Sequence, residues 1–228
     1  MSQKAEQKQR SHDAILSSAA ELLRRQGIKA SSVTDVMKGA GLTVGGFYGH
    51  FDSKEQLFAT TLRTATGTLW RRLLQEAQGD TARARARNVL RRYLSRSHRD
   101  DPTLGCMLPA VAPEIAREGG PYRTALEQEL SSFVASFAAL LSQEPGSAAG
   151  SAQGSAQGSA QAETSEVQKS AREKALGLFA MMYGALSLSR AVAGTPLSDE
   201  LLLAARRMGE RVLADLPGEE RGSKALAD

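Results

Sequence analysis

The hydrophobic positions near the N-terminus repeat at helical spacing and stop at residues that favour turns. In residues 9–26 apolar side chains recur every three or four positions, and Gly27 follows as a candidate helix stop. A shorter apolar segment begins after Ser32, which forms a capping box with Asp35, and it ends at Gly41. The pattern predicts two amphipathic helices, the second of about two turns.

Two further capping patterns follow within a few residues. Thr43 can cap a very short segment that ends near His50, and Ser53 with Gln56 can cap a much longer one. In that longer segment the apolar side chains keep helical spacing over residues 57–77. The sequence therefore predicts short helices joined by tight turns, followed by a long connecting helix.

The remainder of the chain carries helical patterns and no alternation typical of strands. The patterns cover residues 81–98, 105–117, 121–143, 165–193 and 198–216. Residues 146–161 repeat Gly, Ser, Ala and Gln, which predicts a flexible linker at about 145–164. The predicted fold class is all-α, with an N-terminal domain over residues 1–54 and a larger helical domain over residues 55–228.

Composition and charge indicate the compartment of the protein more clearly than its function. The 228 residues carry a formal net charge of +4, which suits a polyanionic partner but also many proteins that never bind nucleic acid. The chain has no signal-peptide pattern and no apolar run near about 18 residues, so we expect a cytoplasmic protein with no membrane partner. Cys106 is the single cysteine, and the histidines at 12, 50 and 98 lack metal-ligand spacing, so neither a metal nor a cofactor is predicted.

Residues 32–51 contain the parts of a helix-turn-helix, in which two short helices are locked by apolar residues across a tight turn. Gly41 permits the turn. The predicted locking residues are Val33, Val36, Met37 and Ala40 on the first helix, then Leu42, Val44 and Phe47 on the second. Tyr48, His50 and Lys54 are left near the exposed rim, where Lys54 and the free amides of the next helix suit a phosphate.

Beyond the apolar helix that starts at Ser32, the chain reads AGLT at residues 40–43, GFYGHF at 46–51 and DSKEQL at 52–57. This run resembles the habitual motif of the TetR/AcrR family of bacterial regulators. Outside about the first 50 residues, the chain is similar to the family only in length and helical character. The resemblance implies a three-helix DNA-binding domain, a larger ligand-binding and dimerisation domain, and usually repression relieved by a small molecule.

Carried over by position, the resemblance assigns DNA contacts to eight residues. Thr34 begins the supporting helix and Lys54 matches a phosphate contact, while the matching recognition segment supplies Thr43, Val44, Gly45, Gly46, Tyr48 and His50. Tyr48 is the strongest candidate because Phe47 and Phe51 already serve the core, with packing of Tyr48 as the alternative. His50 has the alternative of capping or packing.

Glycines make the predicted recognition segment a poor helix. Gly45, Gly46 and Gly49 each cost about 0.5–1 kcal/mol relative to alanine in a helix interior, so the segment depends on packing against its neighbours. Their small size favours close approach of the backbone to DNA, with base reading by Thr43, Val44 and DNA shape. A basic arm that either adds phosphate contacts or remains a solvated tail consists of Lys4, Lys8 and Arg10.

The C-terminal helices supply the predicted dimer interface. A homodimer through the last two helices would read a near-palindromic operator of double-stranded DNA, because one short recognition helix contacts too few base pairs. Gly177, Ala180 and Gly184 would let the helices pack closely, although the same faces could instead close the core of the monomer.

The middle helices supply the predicted pocket for a small-molecule effector. Its candidate lining residues, whose alternative role is core packing, are Trp70, Tyr93, Cys106, Met107, Phe133, Phe137, Phe179 and Tyr183. Cys106 stands at a predicted helix start, where its thiol either has a lowered pKa and is reactive or is buried and inert.

The predicted function is that of a ligand-responsive DNA-binding transcriptional regulator, most simply a repressor that a small molecule releases from its operator. An effector-independent architectural protein with the same helix-turn-helix is the alternative. The sequence offers no nucleophile–base pair and no Gly-rich phosphate loop, so no catalytic residue and no enzyme activity are predicted.

Overall fold

The protein is described here from a computed structural model over residues 3–101, 105–143 and 159–214, and its regular elements in these ranges are all helices. The predicted all-α class is thereby confirmed. The elements are α1 (Gln3–Gln26), α2 (Val33–Gly39), a 3-10 helix (Val44–Gly49), α3 (Lys54–Gln75), α4 (Ala82–Tyr93), α5 (Arg96–Asp100), α6 (Leu108–Glu118), α7 (Gly120–Leu141), α8 (Ser159–Ala191) and α9 (Pro196–Ala214). None of these helices has both the length and the apolar character that crossing a bilayer requires.

The first elements pack around the start of α3. Helix α1 contacts α2 and α3, and α2 contacts the 3-10 helix. The side chains of α1 that are buried by these contacts are Ile15, Ala19, Ala20 and Leu23, at the predicted helical spacing. Gly27 directly follows α1 with a φ of +78°, which confirms it as the stop.

Helix α3 also enters the second group of helices, because it packs along α7. Helix α7 contacts α8, α8 contacts α9, and α9 returns to α4. At the centre of this bundle, Trp70, Phe133 and Phe179 have ring centroids 5.1–5.4 Å apart. One buried apolar core therefore runs from the helix-turn-helix into the bundle.

Two of the predicted helix caps are confirmed and one is wrong. The Oγ atoms of Ser32 and Ser53 accept hydrogen bonds from the backbone N–H groups of Asp35 and Gln56, each at 3.0 Å. Thr43 precedes the 3-10 helix without a side-chain cap. The backbone closes that turn instead, because the Gly46 N–H donates to the Thr43 carbonyl at 3.0 Å.

The predicted helix over residues 81–98 is interrupted after Tyr93. A separate helix, α5, follows, and the Ser95 hydroxyl caps it by accepting from the His98 N–H at 3.0 Å. At the break, the Leu94 carbonyl accepts from Nε of Arg206 in α9 at 2.7 Å. A local cap and a distant arginine together end α4 early.

The predicted linker lies only partly within the described residues. Residues 144–158, which hold most of the Gly/Ser/Ala/Gln repeat, lie outside them. Helix α8 begins at Ser159, so residues 159–164 are helical where the sequence predicts a flexible linker. The helix predicted to start at residue 165 therefore starts earlier, inside the repeat.

The turn between α1 and α2 is fastened to α6. One carboxylate oxygen of Glu114 accepts hydrogen bonds from the backbone N–H groups of Ile28 at 2.5 Å and Lys29 at 3.3 Å. The Lys29 ammonium also pairs with Glu118 at 3.8 Å. Because a carboxylate that accepts from backbone amides makes a strong hydrogen bond, this contact fixes α6 against the turn.

We expect Glu114→Gln to lower the free energy of unfolding by about 1–3 kcal/mol, because two amides lose a charged acceptor. Glu127→Gln, on the exposed side of α7, is the matched control and should change it by less than about 0.5 kcal/mol. Urea denaturation followed by circular dichroism measures both. Equal stability of Glu114→Gln and the wild type would show that the carboxylate does not hold the turn.

Candidate nucleic-acid interface

The helix-turn-helix is locked by a tight backbone turn between α2 and the 3-10 helix. Gly41 has a φ of +70°, and a Cβ at this position would meet no atom within 4 Å. The conformation, not a lack of space, therefore favours glycine here. The Leu42 N–H donates to the Met37 carbonyl at 2.9 Å, and Met37 and Phe47 are buried beneath the turn.

A close contact between α1 and α2, which the sequence reasoning missed, sets the position of the first short helix. Ser18 Oγ donates to the Val36 carbonyl at 2.9 Å. A Cβ on Gly39 would collide with the same Ser18 hydroxyl, so only glycine allows this approach. The signal available in the sequence is a small residue on the inner face of α1 with a second glycine just before Gly41.

The candidate DNA contacts form a mostly exposed surface. Six of the eight are exposed, namely Thr34, Thr43, Val44, Gly45, Gly46 and Tyr48, while His50 and Lys54 are half-buried. Tyr48 is 76% exposed beside Phe47, which is 2% exposed, as the sequence reasoning predicted.

The prediction that Val44 packs between the helices is wrong, because its side chain is 45% exposed. Added Cβ atoms at Gly45 and Gly49 would meet nothing within 4 Å, so the backbone of the 3-10 helix is open to a partner.

His50 belongs to a histidine pair at the edge of this surface. The rings of His12 and His50 lie 5.9 Å apart, and the His12 ring stacks on Phe51 at 4.8 Å. Burial, followed by the charges of His12 and Lys8, lowers the pKa of His50. His50 is therefore neutral near pH 7, and its buried Nδ1 has no hydrogen-bond partner. The contribution of His12 could not be read from the sequence, because it depends on the stacking contact with a distant phenylalanine.

Lys54 is the first residue of α3. Its Nζ lies 5.4 Å from the centroid of the Phe58 ring, a cation–π contact that orders the side chain. The N-terminus of a helix attracts anions through its free amides and dipole. The Ser53 cap occupies one amide of the first turn, that of Gln56.

Comparison with known proteins identifies this part of the chain. The family model for bacterial regulatory proteins of the tetR family matches residues 15–61, from the buried side of α1 to the start of α3. Residues 15–61 therefore form a helix-turn-helix of the TetR type. The chain is also 38% identical over 63 residues to the HTH-type transcriptional repressor KstR2 of Mycolicibacterium smegmatis. That match covers 28% of this chain and 31% of the repressor, so the chain spans less than a third of this curated relative.

Solved structures share the fold along most of this chain. Reduced NemR of E. coli has a TM-score of 0.67 at 19% identity, covering 88% of this chain and 95% of NemR. A TetR regulator from Chloroflexus aurantiacus has a TM-score of 0.69 at 21% identity, covering 92% and 97%. A TetR-family regulator from Streptomyces coelicolor has a TM-score of 0.67 at 17% identity, covering 91% and 96%. The likeness confirms the predicted fold, an N-terminal helix-turn-helix followed by a larger helical domain.

The candidate effector residues lie close together in the bundle. Seven of the eight are buried in one core: Trp70, Tyr93, Cys106, Met107, Phe133, Phe137 and Phe179; Tyr183 is half-buried. Nε1 of Trp70 is buried without a hydrogen-bond partner, while the buried hydroxyl of Tyr93 lies beside the Cys106 thiol. Their role as a ligand pocket stays a prediction.

The interpretation of Cys106 as a thiol with a lowered pKa is wrong. Cys106 lies two residues before α6 and is 1% exposed. Burial raises the pKa of its thiol, and the neighbouring Tyr93 hydroxyl, Arg190 and Arg24 only partly offset that effect. The thiol is therefore protonated near neutral pH, because removal from water disfavours the thiolate.

Truncation of two adjacent aromatic residues on the 3-10 helix should change the free energy of unfolding by very different amounts. Phe47→Ala should lower the free energy of unfolding by about 3–5 kcal/mol, because it leaves a cavity in the core. Tyr48→Ala should change that free energy by less than about 0.5 kcal/mol, since the ring is exposed. Thermal and urea unfolding measure both variants, and a large loss for Tyr48→Ala would mean that this ring packs inside the protein.

Proposed function

We propose that this TetR-family chain is a DNA-binding transcriptional repressor that occupies a near-palindromic operator as a homodimer and is released by a small molecule. The observation that carries the proposal is the exposure of Tyr48, a large aromatic side chain, at the end of a helix-turn-helix. Large exposed apolar side chains that the fold does not bury commonly mark interaction surfaces. The name of the related repressor KstR2 supports the same class of function.

The chemistry of the neighbouring residues suits the major groove of DNA. The Val44 side chain and the methyl group of Thr43 can contact thymine methyls, and the free Thr43 hydroxyl can bond a base edge or a phosphate. The open glycine backbone allows amide groups to approach the phosphates closely. Tyr48 and Lys54 then provide the phosphate contacts that set the register of the protein on the duplex.

We expect Tyr48→Ala and Lys54→Met each to weaken binding to an operator, selected first from random duplexes, by about tenfold. Lys54→Met should also reduce the slope of log affinity against log salt by about 1, because one phosphate contact is lost. Fluorescence anisotropy across a salt series measures both quantities. Lys169→Met on α8 is the charge-matched control outside the helix-turn-helix. Wild-type affinity in both test variants would contradict the assignment of the site.

The distribution of exposed apolar residues supports the dimer. In the described parts of the chain, the large hydrophobic side chains that are exposed fall in two places, the 3-10 helix and the last two helices. Those on the last two helices are Val167, Leu176, Leu188, Leu197, Leu203 and Met208. Cβ atoms added at Gly177 and Gly184 would meet nothing within 4 Å, so a second helix has room to approach α8 there. Two chains related by a two-fold axis would present two recognition segments to successive half-sites.

Leu188→Glu should convert the dimer to a monomer, because it places a charge on the apolar face that the partner would bury. Sedimentation equilibrium should then give a mass near the 24.3 kDa of one chain, against twice that for the wild type. The monomeric variant should also lose tight binding to the operator while it keeps its helical circular dichroism. The milder substitution Leu203→Gln tests whether α9 also lies in the interface. A wild type that sediments as a monomer while bound to DNA would refute the dimer.

A further inference from the structure

The first turns of α1 extend beyond the packed part of the protein. All side chains of residues 3–10 are exposed, and the first buried side chain of the helix is Ile15. The sequence left open whether the basic residues here form a solvated tail, and the structure shows them on a helix continuous with the buried part of α1. The direction of this extension is therefore set by the helix-turn-helix against which α1 packs.

One edge of the extension is basic. Lys4, Lys8 and His12 follow one another at intervals of four residues, so they lie within about 80° of one another around the helix. This basic edge continues the stripe that is buried further along α1 at Ile15 and Ala19. It therefore lies on the side of α1 that faces the helix-turn-helix, at the point where α1 passes beyond it.

The acidic residues of the same segment lie on another side of the helix. Glu6 and Asp13 are at least about 100° away from the basic edge around α1. Asp13 is also engaged by Gln9, whose side-chain amide donates to its carboxylate at 2.9 Å. The basic edge therefore keeps a positive potential of its own.

The basic edge ends at the pair of histidines beside the recognition segment. The His12 ring stacks on Phe51 at 4.8 Å and lies 5.9 Å from the ring of His50, which follows the last residue of the 3-10 helix. Nδ1 of His50 is buried, which leaves Nε2 as the ring nitrogen that a ligand can reach. The pair thus joins the basic edge to the exposed surface that carries Tyr48.

The charged groups around His50 favour an anion. From α1, His12 and Lys8 act on it, and after burial these two lower the pKa of its ring. On the following loop, the Asp52 carboxylate accepts from the Gln56 side chain at 3.2 Å, and on α3 the Lys54 ammonium lies over the Phe58 ring. Positive neighbours disfavour a metal cation and favour a negatively charged ligand at this position.

We propose that Lys8, His12 and His50 form a second phosphate-binding site for operator DNA and that this site takes up a proton from solvent when DNA binds. The inference rests on the proposed function, because it places the helix-turn-helix on DNA. A phosphate beside the two rings stabilises an imidazolium ion, whose added N–H donates to a phosphate oxygen. Lys4, about 12 Å further along α1, extends the contact towards the DNA that flanks the half-site.

The sign of the pH dependence is fixed by the charges of the free and bound states. In the free protein, burial and the two α1 groups hold the pKa of His50 below its ordinary value. In the complex, the phosphate raises that pKa. DNA affinity is therefore lowest where both states are deprotonated, rises as the pH falls through the pKa of the complex, and levels off below that of the free protein.

The test measures affinity for the selected operator duplex by fluorescence anisotropy at pH 6 and pH 8, at constant salt. The wild type should bind at least about threefold more tightly at pH 6. The double variant His12→Phe/His50→Gln, which keeps an aromatic ring on Phe51, should reduce this ratio to below about 1.5. His50→Gln alone, which leaves the stacking intact, should lower it. The remaining histidine, His98, has a pKa lowered to about 4 by burial and does not titrate in this range.

Two further measurements separate a phosphate site from a merely structural role of these residues. Calorimetric titration at pH 7 in two buffers of different ionisation enthalpy should show net proton uptake by the wild type and none by the double variant. At pH 6, Lys8→Met should reduce the slope of log affinity against log salt by about 1, while the control Lys169→Met on α8 keeps the wild-type slope and pH ratio. Circular dichroism of each variant checks the fold.

The outcomes distinguish this site from the proposed function as a whole. A wild type that binds the operator equally at pH 6 and pH 8, a double variant with the wild-type pH ratio, or a wild-type salt slope in Lys8→Met would each overturn the second phosphate site. None of these results would affect the helix-turn-helix assignment, because the wild type still binds the operator in all of them. Failure of the wild type to bind any duplex at either pH would instead refute the proposed function.

Discussion

The continuity of α3 is the constraint on which the whole arrangement depends. Its 22 residues give a rod of about 33 Å, long enough to belong to both helical groups. Leu57, Phe58 and Leu62 complete the core beneath the helix-turn-helix, while Trp70 and Leu73 enter the bundle. Full burial of a side chain of this size contributes about 1.5–3 kcal/mol, so α3 cannot shift in one group without losing contacts in the other. The recognition segment is thereby held in a fixed position relative to the helical bundle.

Local signals in the sequence predicted most of the fold, and long-range contacts explain the exceptions. The Ser32 and Ser53 caps and the Gly27 stop were correctly predicted because each is decided by a few neighbouring residues. The sequence pattern does not reveal the break after Tyr93, because the apolar spacing continues across it. Ser95 is nevertheless a residue type that commonly caps helices. Arg206 reaches that break from a helix more than a hundred residues away, which no local pattern reveals.

The candidate DNA site could be predicted in outline because neighbouring residues decide which of its side chains are buried. Phe47 and Phe51 fill the core, so Tyr48 between them had to point outwards, and it does. Val44 was expected to pack, but the glycine-rich segment forms a 3-10 helix, whose three-residue turns place successive side chains differently from an α-helix. The contacts of Ser18 with α2 and of His12 with Phe51 arise only when α1 folds back on the motif.

Two hydrogen-bonded links join the end of α1 to α6 and the residues just before it. Arg24 donates to the Gly105 carbonyl, and Glu114 accepts from Ile28 in the turn that follows α1. A hydrogen bond that involves a charged group contributes about 1.5–3 kcal/mol. Allosteric coupling free energies are typically about 1–3 kcal/mol, which corresponds to a 5- to 150-fold change in affinity. The gain or loss of one such link is therefore large enough to account for the release from DNA that the proposed function includes, because α1 packs directly against α2.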